Sequence, residues 1–119
     1  MALTINTNTA LATLAPNGHL SEPTATVLGN PIATWSKDLY TNEAGTLTTG
    51  FWRASPGTSR WEFAEHGEVI HVLGGRMTVH QDDSEPQDLG PGDVAAFPIG
   101  WRGTWTIYET LSKFYVIYH

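Results

Sequence analysis

The chain has 119 residues, of which 40% are hydrophobic, and it carries a formal net charge of −6 with no cysteine. This length suits one domain with a buried core and is too short for two. The six Lys and Arg residues are spread singly, so the chain has no basic patch for nucleic acid or an anionic membrane surface. The lack of cysteine excludes disulfides, thiolate metal ligands and a cysteine nucleophile.

The first residues lack the features of a targeting segment. No Lys or Arg precedes Lys37, so the positively charged start of a secretory signal is missing. No apolar run approaches the roughly 20 residues that span a membrane. We therefore expect a cytoplasmic protein whose partners include neither nucleic acid nor a membrane.

Residues 1–30 are predicted to form an N-terminal arm or a strand exchanged with a second copy of the chain. The segment is rich in Thr, Asn and Ala, and Pro16-Asn17-Gly18 is a turn signal. A helix over Leu11 to Leu14 is an alternative. Ile32 to Trp35 then reads as a short strand, and Ser36 to Gly45 as a polar connection.

From Leu47 onward the chain consists of short apolar runs that each end in turn residues. The predicted strands are Leu47–Ala54, Arg60–Ala64, Glu68–Leu73, Arg76–Gln81, Val94–Phe97, Thr104–Tyr108 and Lys113–Tyr118. The pair Gly74-Gly75 is predicted to end one strand before the next begins. Many short strands at this spacing are typical of an all-β sandwich or barrel, so residues 31–119 are expected to form one such domain.

Two glycine-containing segments resemble the two motifs of cupin β-barrels. They are GTSRWEFAEHGEVIHVLGG, from Gly57 to Gly75, and GPGDVAAFPIGWRGTW, from Gly90 to Trp105. The resemblance implies a double-stranded β-helix, which is an antiparallel jelly-roll barrel. The strings GFWRASPGTSRWEF, VLGGR, FPIGWRGTW and KFYVIY are similar in particular to small single-domain cupins of the ureidoglycine aminohydrolase and ethanolamine-utilisation branch. Small cupins look dimeric as a family, so the resemblance also implies a homodimer.

The resemblance assigns residues to the positions that hold a metal ion in many cupins. Counting back from Gly75 puts Glu68 on the acidic position and Trp61 and Phe63 on two histidine positions. The histidine position of the second motif is Gly103, which leaves room for a ligand or for the bulk of Trp61. Because three of the four positions lack a metal-binding side chain, we expect a degenerate site with no metal ion and no cofactor. The aminohydrolases themselves resemble manganese enzymes with Glu, His and Gln ligands.

Four aromatic residues are predicted to point into the barrel. Side chains alternate across a strand, so Trp61 and Phe63 face the same way. Trp52 and Trp105, on neighbouring strands, are expected to point inward as well. These four side chains would bind a small planar or partly apolar molecule while Glu68 accepts a hydrogen bond or pairs with an amine. The alternative is that the aromatic side chains simply fill the core.

Glu68 is the predicted catalytic residue. A carboxylate removed from water among aromatic rings suits a general acid or base near neutral pH. The alternative is a structural role in which Glu68 pairs with a backbone N–H or an arginine. The candidate arginines are Arg53, Arg60 and Arg76.

The remaining charged residues have mostly structural interpretations. His71 lies three residues from Glu68, so alternation turns it to the opposite, outer face. Lys113 is predicted to form an exposed ion pair with Glu109. An alternative metal site is possible at the barrel mouth, built from oxygen atoms and one imidazole. Its members would be Glu62, Glu65, His66 and Glu68.

The sequence leaves two main functional hypotheses. The first is an enzyme that acts on a small nitrogen-containing or carboxylic metabolite, with Glu68 as acid or base. The second is a cupin that binds or senses a metabolite without catalysis. A purely structural role for a filled barrel remains a third interpretation.

Overall fold

The computed structural model describes all residues from 1 to 119. One helix, α1 (Thr7–Ala12), precedes nine strands, and no helix in the chain has the length and apolar character needed to cross a membrane. The strands are β1 (Ala15–His19), β2 (Thr26–Val27), β3 (Ala33–Thr41), β4 (Leu47–Ala54), β5 (Gly57–Glu62), β6 (Gly67–Gln81), β7 (Gln87–Leu89), β8 (Val94–Phe97) and β9 (Arg102–Tyr118). Every strand pairing is antiparallel, which confirms the predicted all-β class.

The long strand β9 connects the parts of the barrel. Its C-terminal half lies between β4 and the first half of β6, and its N-terminal half lies between β5 and the second half of β6. Strand β3 continues the sheet beyond β4, while β7 and β8 pair with β6. The sheet curls around a core of 17 buried residues, and its inner face positions the site described below.

The glycine pair in β6 bends the strand and does not end it. The prediction of two separate strands here was wrong, as was the division of β9 into two. Gly75 has a φ of +85°, and a Cβ atom at this position would collide with the carbonyl oxygen of Thr110. The pairing of β6 with β9 shifts register between Val72 and Met77, which is the behaviour of a β-bulge.

The N-terminal segment packs against its own chain. The side chain of Asn6 caps α1 by accepting a 2.9 Å hydrogen bond from the backbone N–H of Asn8. Strand β1 pairs with β3 of the same chain, and the Arg53 guanidinium donates to the carbonyl oxygen of Leu11 at 3.0 Å. The helix begins before the predicted Leu11–Leu14 segment.

The predicted polar connection at 36–45 was also wrong, because β3 extends through most of it. Its backbone pairs with β4 from Thr34 to Thr41. Polar side chains such as Lys37 and Asp38 stay partly or fully exposed, while the backbone hydrogen bonds of the ladder hold the strand. A polar stretch of this kind fits a half-exposed strand as well as a loop.

Candidate functional site

The four predicted inward-facing aromatic residues meet in one cluster inside the barrel. The rings of Trp61 and Trp105 stack with centroids 3.9 Å apart, and Phe63 stacks on Trp61 at 5.8 Å. Trp52 meets Trp61 edge-on at 6.4 Å. Trp105 and Phe63 are almost completely buried, whereas Trp52 remains half-buried. Strands β4, β5 and β9 are neighbours in the sheet, which is why residues distant in sequence come together here.

One hydrogen bond fixes the orientation of Trp61. Its indole N–H donates to the hydroxyl oxygen of Ser59, two residues earlier on β5, at 2.9 Å. The indole N–H of Trp105 is buried without an acceptor. Stacking and close packing therefore hold Trp105, at the cost of one unmade hydrogen bond.

The central feature of the barrel interior is an ion pair between Glu68 and Lys113. The Nζ atom of Lys113 on β9 lies 2.6 Å from Oε2 of Glu68 on β6, and the two side chains are only 3% and 4% exposed. The predicted surface pair of Lys113 with Glu109 was wrong. Strand β9 has no turn between these residues, and alternation directs Lys113 inward together with Tyr115.

The arginines considered as partners of Glu68 lie elsewhere. Arg53 donates hydrogen bonds to the carbonyl oxygen of Leu11 and the hydroxyl oxygen of Ser112. Arg60 forms a bidentate ion pair with Asp82. The structural alternative for Glu68 therefore has a partner, but that partner is a lysine.

Aromatic rings surround the Lys113 ammonium group. Its Nζ atom lies 4.4 Å from the ring centroid of Trp52, 4.7 Å from that of Trp105 and 5.7 Å from that of Trp61. The electron-rich faces of these rings attract a cation, which offsets part of the cost of burying it. Burial still lowers the pKa of Lys113 from its ordinary value, against the opposing influence of the Glu68 carboxylate.

Tyr115 completes the surroundings of the ion pair. Its ring centroid lies 5.9 Å from Nζ of Lys113. Burial, helped by the carboxylates of Asp38 and Glu68, raises the pKa of Tyr115 to about 12. The phenol therefore stays protonated under ordinary conditions and can donate a hydrogen bond.

The residues that the motif resemblance assigns to metal-binding positions do not fit a metal ion. Trp61 and Phe63 offer no ligand atom, and no three His, Asp or Glu side chains are grouped to hold a metal ion. Of the two predicted uses of Gly103, room for a ligand was wrong, because a Cβ atom there would collide with the backbone of β6 and the Trp101 ring. The cation beside Glu68 is the ammonium group of Lys113 itself.

A cavity of about 570 Å³ opens from this cluster to the surface. Trp52, Trp61 and Tyr115 line its inner part, together with Glu68 and Lys113, which we call the inner pair. A volume of this size suits a small molecule.

The outer part of the cavity is acidic. Three exposed carboxylates line it, those of Asp38, Glu62 and Glu65, which we call the outer carboxylates. His66 also lines the cavity, whereas His71 is exposed on the outer face of β6, as alternation predicted. Arginines already pair with Glu62, at 3.3 and 3.9 Å, so the other two carboxylates are the ones that favour a ligand group that is positively charged or donates hydrogen bonds.

The structure brings the predicted site residues together, but only some of them line the cavity. Trp52, Trp61 and Glu68 line the cavity, whereas Phe63 and Trp105 pack behind them. Sequence reasoning missed Lys113 as a site residue. The available signal was a lysine at an inward position of the otherwise apolar strand KFYVIY.

Comparisons with known proteins agree on the type of barrel. Residues 41–115 match the sequence profile of the EutQ-like cupin domain. A protein of unknown function from Pseudomonas syringae pv. tomato superposes with a TM-score of 0.76 at 21% identity, over 91% of this chain and 45% of that one. The EutQ protein of Clostridium difficile superposes with a TM-score of 0.62 at 22% identity, over 73% and 63% of the two chains.

A third solved structure is similar over nearly its whole length. It is a predicted oxalate decarboxylase from Thermotoga maritima, with a TM-score of 0.67 at 15% identity, over 99% of this chain and 98% of that one. At such identities the similarity concerns the fold alone. The chain spans less than two thirds of the Pseudomonas and Clostridium proteins, and no curated protein matches it in sequence.

Proposed function

The chain belongs to the EutQ-like cupin domain family, and we propose that its cavity binds a small nitrogen-containing or carboxylic metabolite. The observation that carries this proposal is the inner pair at the end of an aromatic cavity. Two charges buried in a barrel are often no more stabilising than apolar residues of the same size. Charged groups with a perturbed environment in a cleft are instead typical of functional sites.

The cavity offers different chemistry at its two ends. The outer carboxylates favour an amine or amide group, and the Lys113 ammonium favours a carbonyl or carboxylate oxygen. The Trp52 and Trp61 rings between them provide apolar surfaces for the body of the ligand. The resemblance of the motifs to ureidoglycine aminohydrolases supports the same class of nitrogen-containing ligand.

In the enzyme form of this proposal, Glu68 is the acid or base. Its carboxylate exchanges a proton with the ligand. The Nζ atom of Lys113, which donates a hydrogen bond to this carboxylate at 2.6 Å, can supply or receive that proton. The desolvated surroundings strengthen electrostatic interactions with a bound ligand.

The alternative is a cupin that binds a metabolite without converting it. The ion pair itself favours this alternative. Because the Lys113 ammonium already donates a hydrogen bond to Oε2 of Glu68, that oxygen is not free to take a proton from a ligand. In that case the inner pair serves only to recognise an oxygen of the ligand.

A thermal-shift screen of ureides, amino acids and keto acids tests the proposal. A ligand at 100 times its dissociation constant adds about 2.7 kcal/mol to the free energy of unfolding. Trp52→Leu should reduce the ligand-induced shift, whereas Trp35→Leu, at a tryptophan outside the cavity lining, should leave it unchanged. A ligand whose shift is insensitive to Trp52→Leu binds elsewhere and overturns the proposal.

For a ligand found in this way, Glu68→Gln separates the two forms of the proposal. Loss of turnover with retained binding supports Glu68 as acid or base. Unchanged turnover removes Glu68 from the mechanism, and binding without any turnover in the unaltered protein supports the non-catalytic form.

The family resemblance also supports a homodimer, and the lack of cysteine fits a location in the cytoplasm. Sedimentation equilibrium would then give twice the 13.0 kDa mass of one chain. A monomer at all concentrations tested would contradict this part of the proposal.

A further inference from the structure

Lys113 is the one lysine that faces the cavity. The chain contains two lysines, and the other, Lys37, is absent from the cavity lining. We propose that the Nζ atom of Lys113 forms a covalent imine with a small aldehyde or ketone bound in the cavity. This inference rests on the proposed function, because it names the ligand class of the same cavity.

The first step requires a neutral amine, and the surroundings of Lys113 provide for one. Burial lowers the pKa of the Lys113 ammonium, so less free energy is needed to remove its proton. The acceptor for that proton is the Glu68 carboxylate, 2.6 Å away and equally buried. A desolvated lysine in an apolar pocket is a recognised form of activated nucleophile.

The aromatic rings around Nζ favour the product as well as the starting state. A protonated imine keeps the positive charge of the ammonium on the same nitrogen. The rings of Trp52 and Trp105, at 4.4 and 4.7 Å from Nζ, therefore continue to attract it. The Glu68 carboxylate remains its counter-ion.

The charge of the cavity selects among carbonyl compounds. Two of the outer carboxylates, those of Asp38 and Glu65, form no ion pair with the protein, so among carbonyl compounds the cavity favours those that also carry an amine. The walls formed by Trp52 and Trp61 suit a short apolar or planar body.

The reaction balances with the inner pair as the only protein groups. Lys113 passes an ammonium proton to Glu68, and the neutral amine bonds to the carbonyl carbon as the C=O electron pair moves to oxygen. A proton shifts from nitrogen to that oxygen, which gives a carbinolamine. Glu68 then returns its proton to the hydroxyl group, the C–O bond breaks, and water leaves. The sum is R₂C=O plus the Lys113 ammonium giving the protonated imine plus water.

Reductive trapping tests this inference on the unaltered protein. The chain is incubated with propanal or acetone and cyanoborohydride, which reduces an imine to a stable secondary amine, and the labelled peptides are identified by mass spectrometry. At neutral pH we expect Lys113 to be labelled clearly faster than Lys37, because burial lowers the pKa of Lys113 and so raises the fraction of its amine that is neutral. Equal labelling of the two lysines, or no label at Lys113, overturns the inference.

Two variants sharpen the test. Lys37→Arg should leave the labelling of residue 113 unchanged, and Lys113→Arg should abolish it while keeping the charge. If Lys113→Arg does not fold, the ratio of Lys113 to Lys37 labelling in the unaltered protein still decides the question.

Failure of this inference can be told from failure of the proposed function. A ligand that gives a Trp52-dependent thermal shift, without any adduct at Lys113 from the carbonyl probes, overturns the imine and leaves the binding cavity standing. An adduct at Lys113 that forms no faster in folded than in urea-unfolded protein also overturns the imine inference, because the folded barrel then does not increase the reactivity of Lys113.

Discussion

The Nζ atom of Lys113 lies 2.6 Å from Oε2 of Glu68 in the interior of the barrel, where each side chain is almost completely shielded from water. Each charge is therefore the main compensation for burial of the other. The pair joins the two longest strands of the protein, β6 and β9, at the inner end of the cavity. The stability of the barrel and the proposed recognition of a ligand consequently depend on the same two residues.

Breaking the inner pair should destabilise the fold strongly. We expect Lys113→Met alone to lower the free energy of unfolding by about 3–5 kcal/mol, because it leaves a buried carboxylate unpaired. Glu68→Gln combined with Lys113→Met should cost less than the sum of the two single changes, since neither charge remains. Urea unfolding of the three variants measures this coupling.

The exposed pair of Arg60 and Asp82 is the matched control. Its hydrogen bonds are as short as 2.6 Å, but both side chains are substantially exposed. Asp82→Asn should therefore leave the unfolding midpoint almost unchanged. Additive effects at Glu68 and Lys113 would contradict the view that the inner pair acts as a unit.

An external amine should replace the side chain of Lys113. Lys113→Ala leaves a space bounded by Glu68 and the rings of Trp52 and Trp105. We expect butylammonium to raise the melting temperature of this variant more than that of the unaltered protein, because the ion restores both the charge pair and the ring contacts. Differential scanning calorimetry measures the effect.

Two controls identify the source of this rescue. Butanol, which has the same length without the charge, should give a smaller shift. Adding Glu68→Gln to Lys113→Ala should remove most of the butylammonium effect. An equal rise in melting temperature with butanol would mean that filling the apolar space, without the charge, explains the rescue of Lys113→Ala.

Tyr115 should make the protein sensitive to alkaline pH. An unfolded tyrosine has a pKa near 10, and the folded value is about 12. The folded state therefore holds more protons between these values, so this contribution to stability is complete below pH 10 and is lost as the pH rises towards 12. Tyr115→Phe should lose less stability over that interval than the unaltered protein.

Phenolate absorbance provides an independent measurement of this shift. In the unaltered protein the titration should contain a late step near the pKa of about 12 that Tyr115 has in the folded state. That late step should be missing in Tyr115→Phe. A titration of the unaltered protein without a late step would contradict the expectation.

Gly75 should be the least replaceable glycine of β6. Its positive φ is unfavourable for alanine by about 1–2 kcal/mol, and a Cβ atom would in addition collide with the Thr110 backbone. Gly92 is the matched control, since its φ is +94° but a Cβ atom would meet nothing within 4 Å. We expect Gly75→Ala to lower the free energy of unfolding clearly more than Gly92→Ala in denaturant titrations. Equal losses of unfolding free energy would show that the positive φ alone, without the collision, sets the effect of alanine at both positions.

Local patterns predicted the strands whose limits are set by neighbouring residues. Leu47–Ala54 and Val94–Phe97 were predicted with the bounds that the structure has, because turn residues stand at both ends of each. The same reasoning failed at Gly74-Gly75, where the glycines serve a bulge that is defined by the partner strand β9. A glycine pair allows both outcomes, and only the pairing selects between them.

The sequence by itself determined the barrel and the inward direction of its aromatic residues, since alternation along a strand is a local property of the backbone. It did not determine the partner of Glu68, because Lys113 stands 45 residues away and meets it only when β6 and β9 lie side by side. The tertiary structure also decided which aromatic rings line the cavity and which fill the core. Burial and charge pairing depend on the distance between strands, and no short stretch of sequence contains that distance.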